Sequence, residues 1–272
     1  MRMFGRLISL ATTIVGAASL LGAAAMADVT PGWEAYQRGD FAKAVELWRP
    51  LADSGDSSAQ YNLGIMYDQG RGVGQDATEA VRWWRAAAEG GYAPAIHNLA
   101  NSLIAGDGVA QDYAEAVRWL ERAADQGFAR SVYTLGKMYS YGLGVATDGG
   151  KAVALFEQAA SLGNPRAQYN LARSYRDGEG VPKDLERAAQ WYERAAQQGD
   201  AAAQAALGQR YALGEGVRQD QEKALYWTSL AAAQGLARAV EARKALVQTL
   251  EARIVDRVDR SVSGFRPTLP TQ

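Results

Sequence analysis

The chain has one histidine and no cysteine among its 272 residues. That composition excludes disulfides, thiolate metal sites, a cysteine nucleophile and an N-terminal lipidated cysteine. Any serine–histidine relay or imidazole metal site must therefore be built around His97. Nothing at metal-ligand spacing accompanies it, and Tyr61 and Tyr133 stand 36 residues to either side, so His97 reads as one variant of a recurring position. The run Gly70-Arg71-Gly72-Val73-Gly74 has the glycine density of a phosphate-cradling loop, but that chemistry needs a preceding strand, and the later copies of the run lack the third glycine. Asp76 and its counterparts are carboxylates set singly before apolar runs, where they suit helix caps better than paired acid–base work. No catalytic, cofactor-binding or metal-binding residue is expected, and the chain is read as a non-enzyme. Lys plus Arg is 29 against 30 for Asp plus Glu, which gives no electrostatic reason to expect nucleic acid.

The recurrence that explains His97 runs through the chain. Gly70, Gly106, Gly142, Gly178 and Gly214 are 36 residues apart, as are the columns that begin at Gly72, Val73, Asp76, Ala80 and Gly91. Periods of this length mark stacked supersecondary units, and five copies in one chain act as an internal alignment. In each unit the step Ala59, Leu63, Tyr67 lays one apolar stripe on a first helix. The position after Leu63 reads Gly64, Ala100, Gly136, Ala172 and Gly208, so only small residues fit there, as close helix–helix contact demands. The Gly70 and Gly72 columns never change even to alanine, which points to positive φ at the helix end. The aspartate column then caps a second helix, whose Ala80, Trp83, Trp84, Ala87 and Ala88 form its buried face. Pro94 and Pro165 fall where a first helix starts and a missing N–H costs little.

The period also sets the boundaries. Asp40, Ala44, Trp48, Ala52 and Gly55 lie one step before the first full unit, so residues 28–57 read as a shortened N-terminal unit ahead of five full repeats at 58–237. Leu246, Leu250, Ile254, Val258 and Val262 recur every four residues and predict capping helices at 238–264, followed by a loose tail at 265–272 with Pro267 and Pro270. Residues 1–27 carry Arg2 and Arg6 and then an uncharged run from Leu7 to Ala25. Ala25-Met26-Ala27 ends that run as a small-residue cleavage motif, so the segment reads as a secretory signal peptide. Uncleaved, it would be the chain's only membrane contact, since no other stretch approaches a bilayer span. Its removal leaves 27 basic and 30 acidic side chains, a formal charge of −3. Periplasmic localisation is expected, with secretion the alternative.

The pattern A-x-x-x-L-G-x-x-Y-x-x-G-x-G-V-x-x-D-x-x-x-A-x-x-W-x-x-x-A-A-x-x-G, from Ala59 to Gly91, resembles the Sel-one-like repeat family, relatives of the tetratricopeptide repeats. Departures are local: Leu155 and Phe156 replace the tryptophans in the third unit, and Gly149-Gly150 weakens the start of its second helix. The resemblance implies an all-α, right-handed α-solenoid of antiparallel helix pairs used as an adaptor or scaffold, including in bacterial exported proteins. Tetratricopeptide ligands lie in a concave groove lined by the first helices. Carrying those positions over implies a groove that includes Asn101, Tyr133, Lys137, Tyr141, Tyr169, Arg173, Arg176 and Gln209. Unit five would present Ala205, Gln209, Ala212 and Leu213.

A basic and aromatic groove suits a protein or peptide with acidic groups or a free C-terminus, because guanidinium groups pair with carboxylates. The leading expectation is a monomeric, exported interaction scaffold that regulates an envelope signalling or assembly system. A cell-envelope carbohydrate or peptidoglycan binder is the alternative, with a hydrolase of the kind claimed for exported, cysteine-rich relatives behind it.

Overall fold

In the computed structural model of the chain, residues 29–268 are described, and the proposed signal peptide at 1–27 lies outside them. The described residues contain fourteen helices and no strand: α1 (Thr30–Gln37), α2 (Phe41–Asp53), α3 (Ser57–Gln69), α4 (Ala77–Glu89), α5 (Ala93–Ala105), α6 (Tyr113–Asp125), α7 (Ala129–Tyr141), α8 (Gly149–Ser161), α9 (Pro165–Asp177), α10 (Leu185–Gln197), α11 (Ala201–Leu213), α12 (Gln221–Ala233), α13 (Ala237–Thr249) and α14 (Ala252–Ser263). They fall into two compact units divided after Asp112. In the first unit each helix from α1 to α4 packs on the one that follows it. In the second, each helix from α6 to α12 does the same, and α14 folds back on α12.

The helices from α2 to α13 are each 13 residues long because their stops recur with the period. Gly70, Gly106, Gly142, Gly178 and Gly214 close the first helix of each pair in the left-handed conformation, at φ 64 to 76°. The Gly72 column has positive φ and a second constraint: a Cβ there would strike the backbone at the start of a second helix one repeat earlier. Gly72 faces Phe41 and Gly108 faces Ala77 in the first unit. Gly144 faces Tyr113, Gly180 faces Gly149 and Gly216 faces Leu185 in the second. Gly149 stands where the other copies carry Phe41, Ala77, Tyr113 and Leu185, so this contact tolerates a side chain there and does not explain the glycine that weakens the start of α8.

The aspartate column caps as its position requires. Asp40, Asp76, Asp148, Asp184 and Asp220 each accept the backbone N–H three residues on, at 2.8 to 3.1 Å. Asp56, Asn164 and Asp200 do the same for α3, α9 and α11. The sequence reading missed this second column because Tyr92 and Phe128 stand at the equivalent points of α5 and α7. Buried glutamines tie three of the pairs to the helix before them: Gln60, Gln168 and Gln204 donate to the carbonyls of Ala52, Ala160 and Ala196, all at 3.1 Å.

The core of the first unit gathers around Trp48, Leu63, Met66 and Trp83. In the second unit Leu120, Leu171, Leu207 and Leu225 are wholly or almost wholly buried. The small-residue column makes room for the ring beside it. A Cβ on Gly64 would strike the Trp84 indole, and one on Gly136 would meet Phe156 Cε1 at 2.8 Å.

At the C-terminal end, α13 puts Arg243 where earlier first helices put a buried leucine. Its guanidinium binds Asp259 of α14 at 2.7 Å and the Ser229 hydroxyl at 3.0 Å, giving the stack a polar finish. The four-residue periodicity predicts helix through this region, and the structure breaks it at Leu250, which is extended at ψ 149°, to turn the chain back. The tail expected to be loose is laid down in its described part. Thr268 N–H donates to the Gln197 carbonyl at 2.9 Å, and the Phe265 ring stands 6.4 Å from Trp227. Partial burial of the Phe265 ring offsets part of the entropy cost of ordering this segment.

Candidate partner-binding face

Seven of the eight candidate residues lie on three first helices of the second unit: α7 carries Tyr133, Lys137 and Tyr141, α9 carries Tyr169, Arg173 and Arg176, and α11 carries Gln209. The four-residue step keeps them off the leucine stripe, so all remain partly or fully exposed while Leu135, Leu171 and Leu207 are buried. Tyr141 is the most open, at 67% exposure.

The structure links α7 to α9 through a hydrogen bond from Asn170 Nδ2 to Tyr133 Oη at 3.1 Å. Lys137 Nζ sits 6.0 Å from the centre of the same tyrosine ring, whose other neighbour is Phe156 at 5.9 Å. Burial raises the Tyr133 phenol above its ordinary pKa, so this hydroxyl is a neutral hydrogen-bonding group. Tyr169 packs 5.6 Å from Tyr192, whose burial pushes its phenol up to about 12.

Arg176 differs from its expected role as an open cation. It holds Asp177 through two bonds, Nε to Oδ1 at 2.7 Å and Nη2 to Oδ2 at 2.6 Å. That bidentate pair holds the Asp177 carboxyl below the usual carboxylate range, with Arg173 and Lys183 adding to the effect. Three cations therefore surround one carboxylate, and the surface keeps an excess of positive charge. Tyr169, Arg176 and Gln209 also share the wall of a cavity of about 500 Å³ between α9, α11, α12 and α13. Its floor is apolar, formed by Ala205, Ala212 and Leu246.

Asn101 does not join this group, since it belongs to α5 in the first unit. It lies 3.1 Å from His97 Nε2 and lines a small recess with Asp68, Asn98 and Asp107. Burial raises the Asp68 carboxyl above its ordinary value, with the Asp107 charge reinforcing the effect. Its surroundings are acidic, unlike those of Lys137 and Arg173.

The helix pairs and their turns match the Sel1 repeat model in six consecutive copies, at residues 30–56, 57–92, 93–128, 129–164, 165–200 and 201–236. The chain belongs to the Sel1 repeat family. The shortened N-terminal unit counts as a repeat of its own. A Sel1 repeat protein from Oxalobacter formigenes is 32% identical, with a TM-score of 0.76 over 88% of this chain and 100% of that one. A protective antigen of uropathogenic Escherichia coli with an SLR fold is 35% identical, with a TM-score of 0.75 over 79% of this chain. The present chain spans 47% of that antigen's length. No curated protein matches the chain. The fold is thus the all-α solenoid of Sel1 repeats, a scaffold that is typically non-catalytic and that generally mediates protein–protein interaction.

Proposed function

We propose that this Sel1 repeat chain is an exported interaction scaffold whose protein partner docks an acidic segment on the face formed by α7 and α9. The observation that carries the reading is the group of Arg173, Arg176 and Lys183 around the carboxylate of Asp177, with Lys137 against the Tyr133 ring and the open Tyr141 on α7. Guanidinium and ammonium groups on a half-exposed surface attract carboxylates strongly enough to set register and on-rate. Tyrosines beside them add contact area at low cost in side-chain entropy. The basic residues and cleavage motif of the first 27 residues support export, and periplasmic scaffolding of an envelope signalling or assembly system follows from the two together.

The test uses chain recovered from the periplasmic fraction, with a mass that begins at Asp28. Lys137→Glu with Arg173→Glu is compared with the unchanged chain in affinity capture from envelope extract. Both side chains point away from the core, so the variant should fold normally, and each partner captured through this face should be depleted at least tenfold at 150 mM salt. Capture that is indifferent to the charge reversal would remove this face from the binding surface, and a chain retained in the cytoplasm would remove export.

A further inference from the structure

Two aligned columns meet inside the stack. One reads Tyr61, His97, Tyr133, Tyr169 and Ala205, the other Trp48, Trp84, Leu120, Phe156, Tyr192 and Thr228. In the second unit the two columns supply a ring pair to each successive repeat: Tyr133 lies 5.9 Å from Phe156, and Tyr169 lies 5.6 Å from Tyr192. The last repeat has Ala205 and Thr228 instead, so both rings of the pair are missing at once. The space they would fill is the cavity of about 500 Å³, lined by both residues. Neighbouring helices do not close it, since α13 presents Ala239, Ala242 and Ala245 there. Leu213, which also lines it, is 56% exposed and adds apolar surface at its edge.

The charged groups on its wall share one sign. Arg176 and Arg238 line the cavity, and no Asp or Glu does. Asp177 already engages Arg176, whereas Arg238 reaches only the Ala202 carbonyl oxygen, at the long distance of 3.4 Å. An occupant that filled the apolar space and supplied a carboxylate beside it would complete both halves of the site.

We propose that this cavity receives the C-terminal residue of a protein partner, with a bulky aromatic side chain in the space left by the missing ring pair and the free α-carboxylate on Arg238. A chain terminus suits the site because its carboxylate lies two bonds from the side chain and nothing has to leave the cavity beyond it. The proposal takes its protein ligand from the scaffold reading above, but the cavity itself lies on different helices from Lys137, and the two are tested by different variants.

N-acetylphenylalanine and its amide are the probes, titrated into the ¹⁵N-labelled chain. The acid should bind with a dissociation constant on the order of 1 mM, moving the amides of Ala205, Leu213 and Leu246, and the amide should bind at least tenfold more weakly. Ala205→Tyr with Thr228→Tyr restores the pair that the preceding repeat uses and should abolish binding with no loss of thermal stability. Should that variant misfold, Leu213→Glu at the exposed edge repels the carboxylate without touching the core, and it too should lose the acid. Arg238→Gln should bring acid and amide to equal affinity. No shifts at 10 mM acid, equal binding of acid and amide to the unchanged chain, or binding that survives both the refilled cavity and Leu213→Glu would each overturn the proposal. If the cavity fails while Lys137→Glu with Arg173→Glu still loses its partners, the α7–α9 face stands alone. The reverse result leaves the cavity without that face.

Discussion

Gly144→Ala should destabilise the chain by about 3 kcal/mol, whereas Gly127→Ala should cost only about 1 kcal/mol. The two glycines have nearly the same backbone, at φ 72° and 74°, so the strain of placing an L residue in the left-handed region is common to both. They differ in what a new methyl group would meet. At Gly127 nothing lies within 4 Å. At Gly144 the Cβ would fall 2.5 Å from the Tyr113 carbonyl oxygen and 2.8 Å from the Ala114 nitrogen. Those atoms belong to the first turn of α6 and cannot rotate aside as a side-chain end would. Chemical denaturation of both variants measures the difference, and equal losses would mean that φ alone, not the seating of a turn on the previous helix pair, keeps this column glycine. Since stability in repeat proteins runs through nearest-neighbour interfaces, the loss at Gly144 should also separate the unfolding of the repeats on its two sides.

The contrast shows what the periodicity revealed and what it concealed. Five identical glycines at the Gly70 and Gly72 columns suffice to infer positive φ and two helices per repeat, since no other property of glycine survives every copy. The same columns do not distinguish a local backbone need from contact with a different repeat, because both forbid every side chain. The capping column shared by Asp56, Asn164 and Asp200 was hidden for the opposite reason: two of five copies carry Tyr92 and Phe128, which make no side-chain cap, so the pattern breaks there. The break at Leu250 has no composition signal at all, because the apolar spacing continues on both sides and only the packing of α14 on α12 decides where the chain turns.

For the candidate face, Tyr133, Lys137, Tyr169 and Arg173 came from the groove positions of the tetratricopeptide repeats that the chain resembles, and the structure leaves all four off the buried leucine stripe. Pairing between neighbours was less legible. Arg176 was expected to be open, and the adjacent Asp177 takes it by a rotamer choice that the spacing leaves free. The cavity in the last repeat was legible in principle, but only by comparing two columns together. Ala205 alone reads as a tolerant surface position, and Thr228 alone as a small core residue. Their loss of volume in the same repeat becomes visible only when Tyr133–Phe156 and Tyr169–Tyr192 are known to touch.

Tyr192 provides the second large effect because it is the filled counterpart of that cavity. Its side chain is wholly buried in α10, packed against Tyr169, and it stands in the column that Trp48 and Trp84 occupy. Tyr192→Ala should cost about 4 kcal/mol, the sum of lost apolar burial and a void that the surrounding helices cannot close. Tyr192→Phe should be neutral or slightly stabilising, because the hydroxyl is buried without a hydrogen-bond partner among the described residues and its desolvation is uncompensated. The elevated phenol pKa of about 12 has the same origin, since burial opposes the charged form. The wild-type tyrosine therefore remains neutral through the physiological range and contributes no pH dependence to folding there. Only above about pH 10, where an unfolded tyrosine would ionise first, does its burial begin to favour unfolding. Thermal and denaturant unfolding of the two variants beside the wild type measures the prediction. A costly phenylalanine would show that the hydroxyl has a partner after all, and a cheap alanine would show that this repeat can collapse around a missing ring. In that second case, the open space beside Ala205 and Thr228 would require a specific explanation, because the last repeat would have the same freedom to collapse and has not used it.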